Sequence, residues 1–307
     1  MRIAVMGSGG LGGFFGGRLA KGGADVVFMA RGAHLAALKA TGLTIESPED
    51  PFTLPAVQAT DDPATIGPVD LVLFTVKLWD TEAAARAIAP IVGPRTAVVS
   101  LQNGVQKDDM LRPILGDNAL MGAIAQISTT IARPGVIAQT GTMQRLVFGE
   151  FDGARSERAE RFLAACLAGG IKAEISTDIT REIWQKFVFL VGLSALTCAT
   201  RCTIGPVREN PHTRAMLLGV MEEVVAVGRA HRVAVPEDFA AERLAFIDTL
   251  PAGMVASMFH DLAAGRRLEL PWLSGGVVDL GAAVGVPTPL NRAIRDVLVL
   301  HADGRPA

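Results

Sequence analysis

The sequence contains no tyrosine, so the Tyr-x-x-x-Lys pair that short-chain dehydrogenases need is excluded. Cysteine is scarce. Cys166, Cys198 and Cys202 are the only three, and none forms a C-x-x-C pair. An odd, sparse set suits a reducing compartment better than a disulfide framework. Cys198 and Cys202 are four apart and are expected to share a helix face, but no partners nearby would complete a metal site. The Cys/His site of a zinc alcohol dehydrogenase cannot be built, and no metal is expected. The five histidines, His34, His212, His231, His260 and His301, offer no evident His–carboxylate pair of the kind a 2-hydroxy-acid dehydrogenase uses. The apolar, uncharged stretch from Phe187 to Thr200 has 14 residues, short of the roughly 20 that a membrane helix needs. Net charge is −2 with no polybasic or acidic tail, which leaves no electrostatic footprint for nucleic acid. A protein of the cytoplasm, bound to neither nucleic acid nor membrane, is expected.

What is present is a change of texture along 307 residues. Up to about Ile175, strand-like and helix-like segments alternate: "RIAVMG", then "LGGFFGGRLAKGG", then "ADVVFMAR", then "GAHLAALKATG". "VDLVLFTVK" is a near-continuous apolar run, as in a strand covered on both faces. "TAVVSLQNG", "ALMGAIAQIST", "RLVFGEF" (a candidate edge strand) and "IKAEIS" read as further strands. This alternation predicts a parallel sheet wound on both faces. Long helical patterns follow: Thr180–Thr200, Glu209–Arg232, Glu237–Leu250, Val255–Ala264, Leu273–Val284 and Asn291–His301, with breaks at Gly or Pro. The expected organisation is an α/β Rossmann-type domain over residues 1–176 and an all-helical domain over 177–307.

The stretch Gly7-Ser8-Gly9-Gly10-Leu11-Gly12 lies between the first strand and the first helix. In a G-x-G-x-x-G turn, one glycine makes the tight bend and one lets the backbone approach a pyrophosphate. The third lets helix and strand pack closely. The helix N-terminus then faces the phosphates. The motif alone is weak. Its position after a strand, before a helix and at the start of the chain makes a dinucleotide site the expectation. Sites for NAD usually carry an acid at the end of the second strand. Here the position nineteen after Gly12 is Arg31. A guanidinium can bind a 2′-phosphate bidentately, which points to NADPH.

Reduction of a carbonyl by hydride needs a proton donor at the developing alkoxide, and a partly buried ammonium can serve. Lys186, in "WQKFVFLVGL", is the candidate, with Glu269 of "GRRLELPWLSG" as a carboxylate that could hold it. From spacing alone the plainer reading is the stronger: a snorkelling helix lysine and a surface-loop glutamate.

Taken together, the glycine turn, "TVKLWDT", "SLQNG", "WQKF", "SMFHDLAAGRRLEL" and "GVPTPLN" resemble the ketopantoate reductase (2-dehydropantoate 2-reductase) family, over nearly the whole chain. The resemblance implies a Rossmann-type domain followed by an all-helical one. It also implies roles for residues. Residues 7–12 would hold the pyrophosphate and Arg31 the 2′-phosphate. Lys77 and Asn103 would meet the cofactor, Lys77 on its ribose and substrate side. Lys186 would be the proton donor, Glu269 would reach the nicotinamide ribose, and Ser257 would touch the substrate. The family's substrate-binding asparagines correspond to Leu190 and Ser194, one and two turns after Lys186, and to a position near Ile204; Thr197 is retained.

The reading is therefore an NADPH-dependent 2-keto acid reductase of the pantothenate pathway, acting on ketopantoate. A more apolar 2-keto acid is the alternative, since Leu190 and Ser194 replace amides. A non-catalytic NADPH sensor would have little reason to keep Lys186 and Glu269 together. A β-hydroxyacid dehydrogenase would carry a Gly-rich catalytic helix around Lys186, which is not found. The expected partner is a small 2-keto acid, and a homodimer is left open.

Overall fold

The structure is a computed structural model and describes residues 1–305. The expected helical domain ends with Pro306 and Ala307, which lie outside the described residues. The chain divides into two compact units. One holds Met1–Asn103 with Lys107–Ile179, and the other holds Gly104–Gln106 with Thr180 onward.

The first unit runs β1 (Arg2–Met6), α1 (Gly10–Lys21), β2 (Asp25–Met29), α2 (Gly32–Thr41), β3 (Leu43–Glu46), β4 (Phe52–Leu54), β5 (Gln58–Thr60), β6 (Leu71–Phe74), α3 (Thr81–Ile88), β7 (Ala97–Ser100), α4 (Lys107–Leu115), β8 (Leu120–Arg133), β9 (Val136–Gly149), α5 (Glu157–Ala168) and β10 (Ala173–Ile175). The sheet order is β4-β3-β9-β8-β7-β6-β1-β2-β5, with β10 beside β9. From β5 through β2, β1, β6 and β7 to β8 every pairing is parallel. This is the dinucleotide-binding order 3-2-1-4-5-6, and the chain reverses direction across the sheet at β1. All four residues of β6 and all four of β7 are buried, and β6, which is LVLF throughout, is the strand that read as a near-continuous apolar run.

Beyond β8 the sheet departs from the expected parallel arrangement and is mixed. β8 and β9 form an antiparallel hairpin of two 14-residue strands. Pro134 and Gly135 turn it, with Gly135 at φ 78°. Proline presets φ at the second position of a tight turn, and only glycine takes a positive φ at the third without strain. The strand "RLVFGEF" is the end of β9 and is interior, flanked by β8, β3 and β10. β3, β4, β5 and α4 had no legible pattern: three are only 3–4 residues long. In α4, Pro113 and a buried Lys107–Asp108 ion pair at 2.7 Å break the apolar period.

The second unit comprises α6 (Ile179–Thr200), α7 (Ile204–Glu209), α8 (Pro211–Ala230), α9 (Phe239–Asp248), α10 (Ser257–Ala263), α11 (Ser274–Val284) and α12 (Pro289–Leu298). Helix α8 starts at Pro211 and not at Glu209, because the Asn210 side chain caps it by accepting from the His212 and Thr213 amides. That is the standard division of labour between an N-cap and a first-turn proline. Every residue of α6 from Val191 to Cys198 is buried, in a core with Leu217, Val220, Met221 and Val224 of α8. Helix α6 is long and apolar enough to cross a membrane, but 67% of its most apolar window is buried within the fold, as in a core helix. It ends at Thr200, and Arg201 takes φ 57°. Cys198 and Cys202 therefore do not share a helix face, contrary to their spacing. Burial pushes the Cys198 thiol up to about 12, so it stays protonated.

Candidate active site

The carboxyl ends of β1, β2, β6 and β7 carry the expected cofactor residues, and the three glycines of the turn differ in what surrounds them. Gly7 sits at φ 97°, with the Val76 backbone nitrogen 2.9 Å from where a Cβ would be. A Cβ on Gly12 would lie 2.3 Å from the Thr75 hydroxyl and 2.4 Å from the Gly7 carbonyl. Gly9 has nothing within 4 Å. These are the bend, the close helix–strand approach and the open face through which a ligand can reach the backbone. Gly10 packs under the hairpin, since its Cβ would meet the Thr129 carbonyl at 2.6 Å. Leu11 packs against the apolar core of this unit.

Ser8 is only 3% exposed, and its Oγ has no hydrogen-bond partner among the described residues. A buried hydroxyl without a partner costs free energy unless something else satisfies it. His34, in the first turn of α2, accepts from the Gly135 amide through Nδ1 at 3.1 Å, while its buried Nε2 lacks a full hydrogen bond. Burial holds the His34 pKa below its ordinary value, partly opposed by the Ser8 backbone. The ring is therefore neutral near pH 7, with its proton on Nε2. An open glycine, an orphaned serine hydroxyl and a helix N-terminus at Gly10 fit the phosphates of a dinucleotide. At the end of β2, Arg31 caps α2 through its extended backbone. Its guanidinium is exposed and takes no ion pair among the described residues.

Lys77 caps the short 3₁₀ turn after β6 and is exposed, its ammonium 5.6 Å from the centre of the Trp79 ring. Asn103 is half-buried after β7. Sequence reasoning missed Thr75 and Gln102. Thr75 Oγ1 donates to the Gly7 carbonyl at 2.7 Å. Gln102 is buried and bridges the loops after β6 and β7. Gln102 lay within the quoted "SLQNG", but no spacing rule marks a side chain that bonds to backbone 26 residues away.

In the helical unit, Gln185, Lys186, Phe189 and Leu190 form the half-buried stripe of α6. Gln185 stacks with Phe189 and Lys186 with Leu190, each pair four apart, so together they make a broad stripe. Lys186 therefore lies on a stripe of the helix that the core does not seal. The next turn closes: Ser194 is fully buried, and its Oγ has no partner among the described residues. Thr197 donates to the Leu193 carbonyl instead, at 2.6 Å. Glu269 is 4% exposed and lies in the turns ahead of α11; its carbonyl accepts from the Trp272 and Leu273 amides. It is not the surface-loop residue that its spacing suggested. Ser257 is exposed at the first position of α10, where Ala256 and not the serine is the N-cap. Ile204 is fully buried at the start of α7. Among the described residues no group of three His, Cys, Asp or Glu could hold a metal ion.

Residues 3–153 match the family model described as ketopantoate reductase PanE/ApbA, and residues 178–301 match the model of its C-terminal domain. The chain belongs to the ketopantoate reductase family. The 2-dehydropantoate 2-reductase of Halobacterium salinarum is 30% identical over 302 residues, 98% of either chain. A PanE/ApbA-family ketopantoate reductase from Ralstonia eutropha JMP134 superposes with a TM-score of 0.90 at 33% identity, over 98% of either chain. A D-mandelate dehydrogenase also superposes, with a TM-score of 0.89 over 98% of either chain, but at 18% identity that likeness is one of fold alone. Ketopantoate reductases are NADP-dependent oxidoreductases acting on a CH–OH group, and the cofactor is NADPH.

Proposed function

We propose that this protein is a cytoplasmic 2-dehydropantoate 2-reductase, which reduces ketopantoate to pantoate in pantothenate synthesis. The observation that carries this reading is the end-to-end identity of about 30% with the Halobacterium enzyme, on a fold whose glycine turn is built for a dinucleotide. When bound, NADPH supplies the hydride for the keto carbon. The protein supplies the rest. Residues 7–12 present backbone amides and the Ser8 hydroxyl to the phosphates, and Arg31 pairs with the 2′-phosphate. Lys77 and Asn103 line the cofactor side. Lys186 gives its proton to the carbonyl oxygen as negative charge develops there, a step in which positioned transfer contributes about 10²–10⁴-fold. Glu269 holds the nicotinamide ribose, and Ser257 contacts the substrate.

A second reading keeps this chemistry on a less hydroxylated 2-keto acid. Leu190 favours it: its side chain cannot hydrogen-bond and lies on the same open stripe as Lys186. Ser194, one turn on, holds a sealed hydroxyl in place of a reaching amide. Each missing neutral hydrogen bond costs roughly 0.5–1.5 kcal/mol. Steady-state NADPH oxidation over a panel of 2-keto acids decides between the two. The first reading expects ketopantoate to have the highest kcat/KM. The second expects an apolar 2-keto acid to exceed it, and Leu190→Asn with Ser194→Asn to move preference toward ketopantoate. If no 2-keto acid in the panel supports oxidation, both readings fall.

A further inference from the structure

Strands β6 and β7 pair in parallel from Leu71 to Phe74, so their carboxyl ends emerge side by side. Lys77 follows one and Asn103 the other. A single buried amide ties the two ends together. Gln102 is 6% exposed, and its Nε2 donates to the Val76 carbonyl at 3.0 Å and to the Thr81 hydroxyl at 2.8 Å. Its Oε1 accepts from the Ser100 hydroxyl at 3.0 Å.

The direction of each bond is forced. A carbonyl only accepts, so the NH₂ of the amide must face Val76. The Thr81 proton goes to the Leu78 carbonyl at 2.7 Å, which leaves its oxygen to accept from Gln102. Thr81 and Ser100 are fully buried, so water does not compete. Val76 and Leu78 are the residues on either side of Lys77. The amide holds the first directly and the second through Thr81. Lys77 is exposed, and its stem leaves from this backbone, so holding the residues on either side fixes where the stem starts.

We propose that Gln102 is a positioning residue that aims Lys77 at the bound dinucleotide and 2-keto acid. This rests on the role given to Lys77 above, and the test keeps the two apart. NADPH affinity by fluorescence titration, kcat/KM and melting temperature are measured on the full chain for Lys77→Ala, Gln102→Ala and the double variant. Gln102→Glu and Thr81→Ser are measured alongside. Gln102→Ala should lower kcat/KM about 10- to 100-fold, the scale of a misplacement near 1 Å, and weaken NADPH binding. In the Lys77→Ala background the same change should cost less than about threefold, because coupled residues do not add. Gln102→Glu puts a carboxylate oxygen against the Val76 carbonyl and should behave like the alanine variant. Thr81→Ser keeps both of its bonds and should stay near the unmodified protein. A Gln102→Ala protein within about twofold of the unmodified one, or a penalty undiminished by Lys77→Ala, overturns the proposal while leaving the role of Lys77 standing. Normal affinity and turnover in Lys77→Ala removes that role, and the proposal with it. Should Gln102→Ala not fold, Gln102→Glu carries the same comparison.

Discussion

The Thr75 hydroxyl, donating to the Gly7 carbonyl at 2.7 Å, occupies the place that a side chain on Gly12 would take. A Cβ there would sit 2.3 Å from Thr75 Oγ1, while Gly9, three residues earlier, has open space. One substitution at two positions should therefore give opposite results. Gly12→Ala forces helix and strand apart and should destabilise the fold by about 1–3 kcal/mol. Gly9→Ala should leave the melting temperature nearly unchanged but weaken NADPH binding at least about tenfold, by blocking approach to the backbone. Thermal denaturation and NADPH titration of both variants check the contrast.

Arg31 presents an exposed guanidinium with no ion pair of its own among the described residues. A charge-assisted contact to phosphate is worth about 1.5–3 kcal/mol. NADPH should therefore bind about 10- to 100-fold more tightly than NADH. Arg31→Ala should erase most of that difference. Equal affinity for the two cofactors in the unmodified protein counts against the assignment.

Lys186→Ala should lower kcat by about 10²–10⁴-fold and leave NADPH affinity nearly as it was. Single-turnover and steady-state rates, with a binding titration, separate these effects. A folded variant with near-normal turnover would move the proton donor elsewhere, with Lys77 next in line.

His34 makes stability depend on pH with a definite sign. Burial holds its pKa in the folded chain below the ordinary value of 6.5, so on acidification the unfolded chain takes up the proton first. Stability from the neutral ring is complete above pH 6.5 and declines as pH falls below it. Protonation would also take Nδ1 away from the Gly135 amide. The melting temperature should drop between pH 7 and 5 more steeply in the unmodified protein than in His34→Gln, whose amide oxygen can still accept from Gly135. Parallel profiles for the two proteins would refute this.

The sequence by itself determined what depends on neighbours in the chain. The turn from Gly7 to Gly12, the buried runs that became β6 and β7, and the long helix carrying Lys186 all followed from local period and from glycine's freedom. Arg31 was legible for the same reason, since it lies at a fixed distance from the turn. The motifs in order were also enough to suggest the family. Only the tertiary structure decided what depends on residues far apart. The 14-residue hairpin strands pair antiparallel because Gly135 can turn the chain, a choice that alternation of strands and helices does not encode. Cys198 and Cys202 part because α6 stops at Thr200, where the Arg201 backbone turns left-handed. Glu269 is buried, although spacing alone read it as a surface-loop residue. The bonds from Gln102 to Val76, and from Thr75 to Gly7, span 26 and 68 residues. A side chain that bonds to distant backbone leaves no periodic trace, so residues of this kind come into view only when the sheet has brought the strand ends together.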